Sequence, residues 1–333
     1  MAITSADPTS SEVLAGPTPL SRGWLVSPWF DVLFIANVAW PLVVLLQQGE
    51  GFSGRSGVQF WQIYFVTTPH RWITLLLVFL DSERFNERRA TFLWLAACVV
   101  ALCLGVRLTT GALTCLLAID YVWNAWHFAA QHHGIYRIYC RLGVRTPAAG
   151  LTCEKWGMRG FLLYVALRIV SATWSEMTRE VWLCRGDWIM MTIPVWLMIR
   201  GTMQARAGGL GRLVYLTSII VLYSSLLWAV HTRRLGLVLS LATASALFHA
   251  IEYLSVVSWS VRQRHAALRS RMGFLGYLAP RWGIALAVFV LILGSAGWFM
   301  DQGYLESWLT INVVVAFLHY AYDGLIWHRR SAS

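Results

Sequence analysis

The sequence predicts an all-α fold: a polytopic transmembrane helix bundle of about ten spanning helices, with both termini cytoplasmic. Three observations carry that expectation. Hydrophobic residues make up 57% of the 333-residue chain and charged residues 13%, against about 45–50% and about 25% in soluble domains. The apolar residues gather into ten runs, each near the roughly 20 residues that cross a bilayer as a helix. The basic residues between the runs are much denser on alternate connections, as the positive-inside rule requires. This composition excludes a disordered chain, a nucleic-acid-binding domain and an ordinary cytosolic enzyme. The net charge of +11 is therefore a topology signal before it is a partner signal.

In chain order, residues 1–28 contain Pro, Ser, Asp7 and Glu12 and no apolar core. They read as a flexible tail, not a cleaved signal peptide. The apolar runs follow at about 29–48, 58–81, 91–108, 110–139, 158–175, 181–199, 213–231, 235–259, 280–300 and 306–328. The fifth is the weakest, because Arg168 interrupts it. Connections are short and no internal repeat is visible, so 29–328 reads as one transmembrane domain and 329–333 as a short basic tail. With ten helices, the tail, alternate loops and C-terminus share 19 basic residues, among them Arg84, Arg137, Arg212 and Arg264. The opposite loops carry 6, among them Arg55, Arg107 and Arg185. A miscount of one helix would scramble that asymmetry. The expected location is a bacterial inner (cytoplasmic) membrane. Tryptophans near run ends, such as Trp29, Trp259 and Trp327, fit interfacial belts. The six cysteines form no CxxC pair, so neither a zinc site nor a disulfide framework is expected.

Ionisable groups at membrane depth are costly and face the bundle interior. Here they cluster. His70 lies in the second run, His127, His132 and His133 in the fourth, His249 and Glu252 in the eighth, and His319 and Asp323 in the tenth. These even-numbered helices run the same way. Counted back from the cytoplasmic ends at about 1.5 Å per residue, His70, His127, His249 and His319 all sit roughly 15 Å deep. His132, Glu252 and Asp323 lie about a turn nearer the cytoplasm. His249 with Glu252 (i, i+3) and His319 with Asp323 (i, i+4) share helix faces. So do His70, Thr74 and Asp81, and Asp120, Asn124, His127 and Gln131. His132 is five residues from His127, about 140° round. It joins the same centre only through a π-bulge or unwinding before Gly134; otherwise it serves a second centre or supports the first. His133 reads as structural, and His231, His265 and His328 as solvated. Arg71 needs a partner at this depth, which Asp120 or Glu252 could supply.

Imidazoles with carboxylates and no thiolate suit iron, copper, nickel or zinc, and open positions beside such a set suit oxygen-activating non-haem iron. The expected metal ligands are His70, His127, His132, His249, His319, Glu252 and Asp323, holding one or two iron ions. Glu252, Asp323 and Asp120 are the expected catalytic carboxylates. Asn124, Gln131 and Arg71 are expected to support the cofactor, the amides by orienting imidazoles through their second nitrogens.

The segment HFAAQHH, His127 followed five residues later by the His132–His133 pair, resembles the histidine boxes of membrane fatty-acid desaturases and alkane hydroxylases. Single intramembrane histidines on such a bundle, with Pro69-His70 followed by Asp81, are similar to the Brp/Blh carotenoid-cleaving oxygenases. That family's second histidine after the Asp is absent here. These resemblances imply iron-dependent oxidation of a lipid-soluble substrate. The expected partners are membrane lipids, that substrate, O2 and a cytoplasmic electron donor attracted by the basic face (Arg137, Arg141, Arg145, Arg262, Arg264, Arg269, Arg271), with no nucleic acid. The substrate is expected to enter sideways past Trp123, Trp126, Tyr253 and Tyr320. Two other classes stay open: a haem-binding redox subunit using His pairs as axial ligands, and a transporter with a His/carboxylate relay.

Overall fold

The computed structural model describes residues 23–49, 57–142, 148–173, 181–205, 209–268 and 271–327. Residues 1–22 of the expected 1–28 tail, the expected tail 329–333, and His328, Arg55, Arg145 and Arg269 lie outside them. Among the described residues all regular structure is helical. Its main helices are α1 (Trp40–Gln48), α2 (Thr68–Phe79), α3 (Arg89–Thr110), α4 (Thr114–Leu142), α5 (Ala148–Thr173), α6 (Val181–Ala205), α7 (Leu210–His231), α8 (Leu235–Leu268), α9 (Trp282–Gly303) and α10 (Leu305–Ile326). Short helical pieces extend three of them: Pro28–Phe30 and a π-turn at Asp31–Ile35 precede α1, Val58–Gln62 and a π-turn at Ile63–Thr67 lead into α2, and Phe274–Leu278 precedes α9.

Six stretches are long and apolar enough to cross a membrane: Pro28–Gln48, Arg89–Thr110, Leu210–His231, Leu235–Ala267, Phe274–Gly303 and Leu305–Ile326. They mark an integral membrane protein. Large apolar side chains such as Leu108, Trp94, Ile284 and Ile292 project from the bundle, as a lipid-facing surface requires. The other four expected runs, α2 with its lead-in and α4, α5 and α6, are helical but diluted by polar residues. Those include His70 and Arg71, Asp120 and the α4 histidines, Glu154 and Arg168, and Arg185 and Asp187.

Helix α5 starts about ten residues before its expected apolar run. Glu154, Lys155 and Arg159, which break the apolar pattern, lie inside the helix. Glu154 is buried and pairs with Arg212 of α7 at 3.0 Å and Arg200 of α6 at 3.0 Å. Arg212, expected to be a loop topology charge, is therefore a buried ion-pair partner. Helix α8 likewise runs past its expected end through Arg262 and Arg264.

The histidine-bearing helices are held together by packing. α10 packs against α2, α3 and α4; α8 packs against α1, α2 and α7; α4 packs against α5 and α7. The π-turn before α2 lies tight against α9. A Cβ added at Gly294 would sit 2.9 Å from the Tyr64 carbonyl oxygen and 2.5 Å from Phe65, so only glycine allows this approach. Gly111 ends α3 at φ +67°, its amide bonding the Arg107 carbonyl, the left-handed cap that glycine adopts without a Cβ clash.

Candidate metal centre

Four helices deliver four imidazoles to one point. The ring centroids of His70 and His319 are 5.0 Å apart, His70 and His249 5.2 Å, His127 and His249 5.2 Å, and His127 and His319 4.7 Å. All are buried. The four histidines that residue counting placed at one level are neighbours in the folded chain.

The imidazoles are pre-oriented from behind. The π-turn Ile63–Thr67 leaves the Thr67 carbonyl facing His70 Nδ1. A carbonyl only accepts, so Nδ1 carries the hydrogen and Nε2 is left as a bare lone pair. His319 Nδ1 lies 2.7 Å from Thr74 Oγ1, and Thr74 also contacts Tyr253 Oη at 2.7 Å and Asp323 Oδ1 at 3.4 Å. Tyr253 donates to Asp323 Oδ1. With the Thr74 hydrogen directed to Asp323 or Tyr253, its oxygen accepts from His319 Nδ1, and His319 Nε2 is also bare. That Nε2 faces His127 Nε2 at 3.1 Å. Asp323 Oδ2 stands 3.9 Å from His127 Nε2.

Two ring nitrogens at 3.1 Å repel unless a proton or a cation lies between them. One ion about 2.0–2.1 Å from each nitrogen would subtend about 100°, between octahedral and tetrahedral values. Three sets of donors have atoms all within 4.8 Å of one another here: His70, His249 and His319; His127, His319 and Asp323; and His132, His249 and Glu252. His249 is the least satisfied member. It is 0% exposed, and neither ring nitrogen has a hydrogen-bond partner. A buried polar atom without a partner costs about 1–3 kcal/mol, so an unfilled His249 is a standing destabilisation.

His132 stands apart. α4 is one unbroken α-helix across it, so no π-bulge or unwinding brings it round to His127. Its Nδ1 lies 3.1 Å from Glu252 Oε2, and its Nε2 lies 3.3 Å from Tyr223 Oη. Glu252 also accepts from Gln131 Nε2 at 2.8 Å and from the Tyr215 hydroxyl. Tyr215 stacks on Tyr139 with centroids 5.4 Å apart, and Tyr139 donates to Asp31 Oδ2 at 2.8 Å. This tyrosine–carboxylate series was not visible in the sequence. Its members lie on α4, α7, α8 and the segment before α1.

The remaining expected residues take other places. Asp120 and Asn124 meet the Tyr320 hydroxyl, each at 3.0 Å, and Gln131 holds Glu252 and the His249 carbonyl. The imidazole-orienting groups shown by the geometry are the Thr67 carbonyl and Thr74, not these three. Arg71 pairs with neither Asp120 nor Glu252 among the described ion pairs, and its Nε has no partner. The hydroxyls of Tyr253 and Tyr320 hold Asp323 and Asp120. Trp123 packs on Phe317 and Tyr320, and Trp126 is 40% exposed. His133 is buried but belongs to none of the three donor sets. His231, expected to be solvated, instead has Nδ1 2.9 Å from Asp187 Oδ2. On the basic face, Arg264 pairs with Asp81 and Glu83, each at 2.9 Å, so part of that charge is neutralised.

No protein-family model matches the chain, and no curated protein or solved structure shows a significant match to it. The chemistry of the centre is read from its own residues.

Proposed function

We propose that the protein is an integral-membrane, metal-dependent oxidoreductase that uses non-haem iron and O2 on a lipid-soluble substrate. In this reading the chain crosses the membrane ten times with both termini cytoplasmic, in a bacterial inner membrane. The observation that carries it is the convergence of His70, His127, His249 and His319, with the Nε2 atoms of His127 and His319 facing each other at 3.1 Å and Asp323 beside them. Two imidazoles and a carboxylate with open positions are the donor set that suits iron oxygenases, and the resemblance to Brp/Blh oxygenases and desaturases points the same way. Bound iron would supply one-electron chemistry with O2. The protein's own part is to orient His70 and His319 through Thr67 and Thr74, to hold Asp323 through Tyr253, and to keep bulk water out by burial.

The haem alternative is disfavoured by crowding. A porphyrin needs its two axial nitrogens on opposite sides of a large plane. Here Phe128 stacks on His249 at 3.7 Å and Tyr253 lies 5.2 Å from His319, so aromatic side chains occupy the space beside these rings. The relay alternative gains one observation, the polar series from Asp31 through Tyr139 and Tyr215 to Glu252. Metal analysis with an absorption spectrum of the purified protein separates all three. Iron without a Soret band is expected; a Soret band would install haem, and absence of metal would favour the relay.

A further inference from the structure

We infer that the centre binds two metal ions, and that the His249 ring is shared between them, one nitrogen to each. This rests on the metal-dependent reading above and goes beyond it in number and arrangement. His249 is the one residue common to the all-histidine set with His70 and His319 and to the set with His132 and Glu252. One ion satisfies one nitrogen. The other would remain buried at 0% exposure without a partner, a cost that a second ion removes. Phe128 lies flat on the ring, 17° from parallel, so one face is closed and only the in-plane nitrogens are available as donors.

The second set is built as a site. Two imidazoles and one carboxylate again make the facial donor set that leaves open positions. Gln131 and Tyr215 fix the Glu252 carboxylate, and Tyr223, itself receiving a hydrogen bond from Ser245 at 2.9 Å, meets the far nitrogen of His132. When an ion takes His132 Nδ1, the ring hydrogen moves to Nε2 and the Tyr223 oxygen accepts it. The hydrogen on the second nitrogen of His249 leaves to water. Filling the second site therefore releases one proton per chain and makes His249 an imidazolate bridge. No change of oxidation state accompanies binding.

The test titrates metal-free, detergent-solubilised full-length protein with copper(II) and follows uptake, proton release and electron paramagnetic resonance. The expected result is two equivalents bound per chain. The signal should rise with the first and fall well below one spin per chain with the second, because spins on one imidazolate couple. Glu252→Gln and His132→Asn should each bind one equivalent and keep one full spin, with the bridge proton retained. Saturation of the native protein at one equivalent overturns the inference and leaves the proposed function intact. Two equivalents with two full spins also overturn it, since the ions would then not share a ring. No uptake at all is the failure of the metal-dependent reading itself. The native titration decides the matter if a variant fails to fold.

Discussion

Two histidine-and-carboxylate clusters behave oppositely in this molecule. One is the histidine centre of α2, α4, α8 and α10. The other lies where α5 and α7 end and α6 begins, and it gathers Arg168, Cys184, Asp187 and His231. Cys184, Asp187 and His231 also have donor atoms within 4.8 Å of one another. Yet Asp187 is already saturated. Arg168 donates to both its oxygens at 2.7 and 2.9 Å, Tyr164 donates to Oδ1 at 2.8 Å, and His231 Nδ1 meets Oδ2 at 2.9 Å. The histidine centre instead holds the His249 ring with both nitrogens unpartnered and two ring nitrogens, of His127 and His319, facing each other at 3.1 Å. Residue type alone does not separate a ligand site from an ion-pair lock; the balance of donors and acceptors does. Where a guanidinium already fills a carboxylate bidentately, a metal must displace it and leave a buried cation behind.

The sharpest break in this comparison is metal content. His127→Ala and His319→Ala should lose the ion held where the four histidines converge, in protein that still inserts, as read by mass-spectrometric metal analysis after purification. His231→Ala should leave metal content unchanged. Metal that follows His231 would reverse the assignment of the two clusters.

Stability should divide the other way. Removing Arg168 alone leaves Asp187 charged and buried, a loss of about 3–5 kcal/mol. Arg168→Ala should therefore lower the thermal unfolding midpoint in detergent markedly. The double variant Arg168→Met with Asp187→Leu should recover most of it, since an apolar pair of similar volume is often neutral or better. A single variant as stable as the parent would show that the pair is solvated and not a lock.

The two clusters also differ in how far they could be read from the chain. The helical runs were legible from their apolar length, six of them as stretches long enough to cross a membrane, and the grouping of the four histidines because helical rise turns residue counts into position along a helix. His249 with Glu252 and His319 with Asp323 were legible as same-face pairs. The supports were not. Thr67 acts through a carbonyl exposed by a π-turn, and no side-chain pattern marks that. Tyr215 and Tyr139 reach Glu252 and Asp31 from helices far apart in sequence, so only packing joins them. Arg212 looked like a loop topology charge because it lies between apolar runs; its burial follows from its pairing with Glu154.

The support shell can be graded within the histidine centre itself. Thr74→Val keeps shape but removes the hydroxyl that joins His319, Tyr253 and Asp323. Metal affinity should fall by roughly 10–100-fold, the usual effect of losing a group that orients a ligand. Thr74→Ser should restore it. A titration of metal-free protein checks both. Equal affinity in the Val variant would mean that His319 is oriented by packing alone.

Asp120 should mark the lower limit of this series. The Tyr320 hydroxyl carries one hydrogen and has two acceptors at 3.0 Å, Asp120 and Asn124. Its ring, not its oxygen, touches the centre, with a centroid 5.0 Å from that of His127. In Asp120→Asn the hydrogen still finds an acceptor, so at most part of one hydrogen bond of about 0.5–1.5 kcal/mol is lost. Metal affinity should change by less than about threefold, since that bond acts on Tyr320 and not on an imidazole. The same substitution tests whether Asp120 transfers protons in the reaction, as its place in the polar stripe of α4 suggests. A general acid or base contributes about 10²–10⁴-fold. The rate at which O2 re-oxidises the reduced, iron-loaded protein should therefore be nearly unchanged if Asp120 only anchors Tyr320. A fall of two orders of magnitude at full metal occupancy would place Asp120 in the chemistry, and Tyr320 as the link between it and the centre.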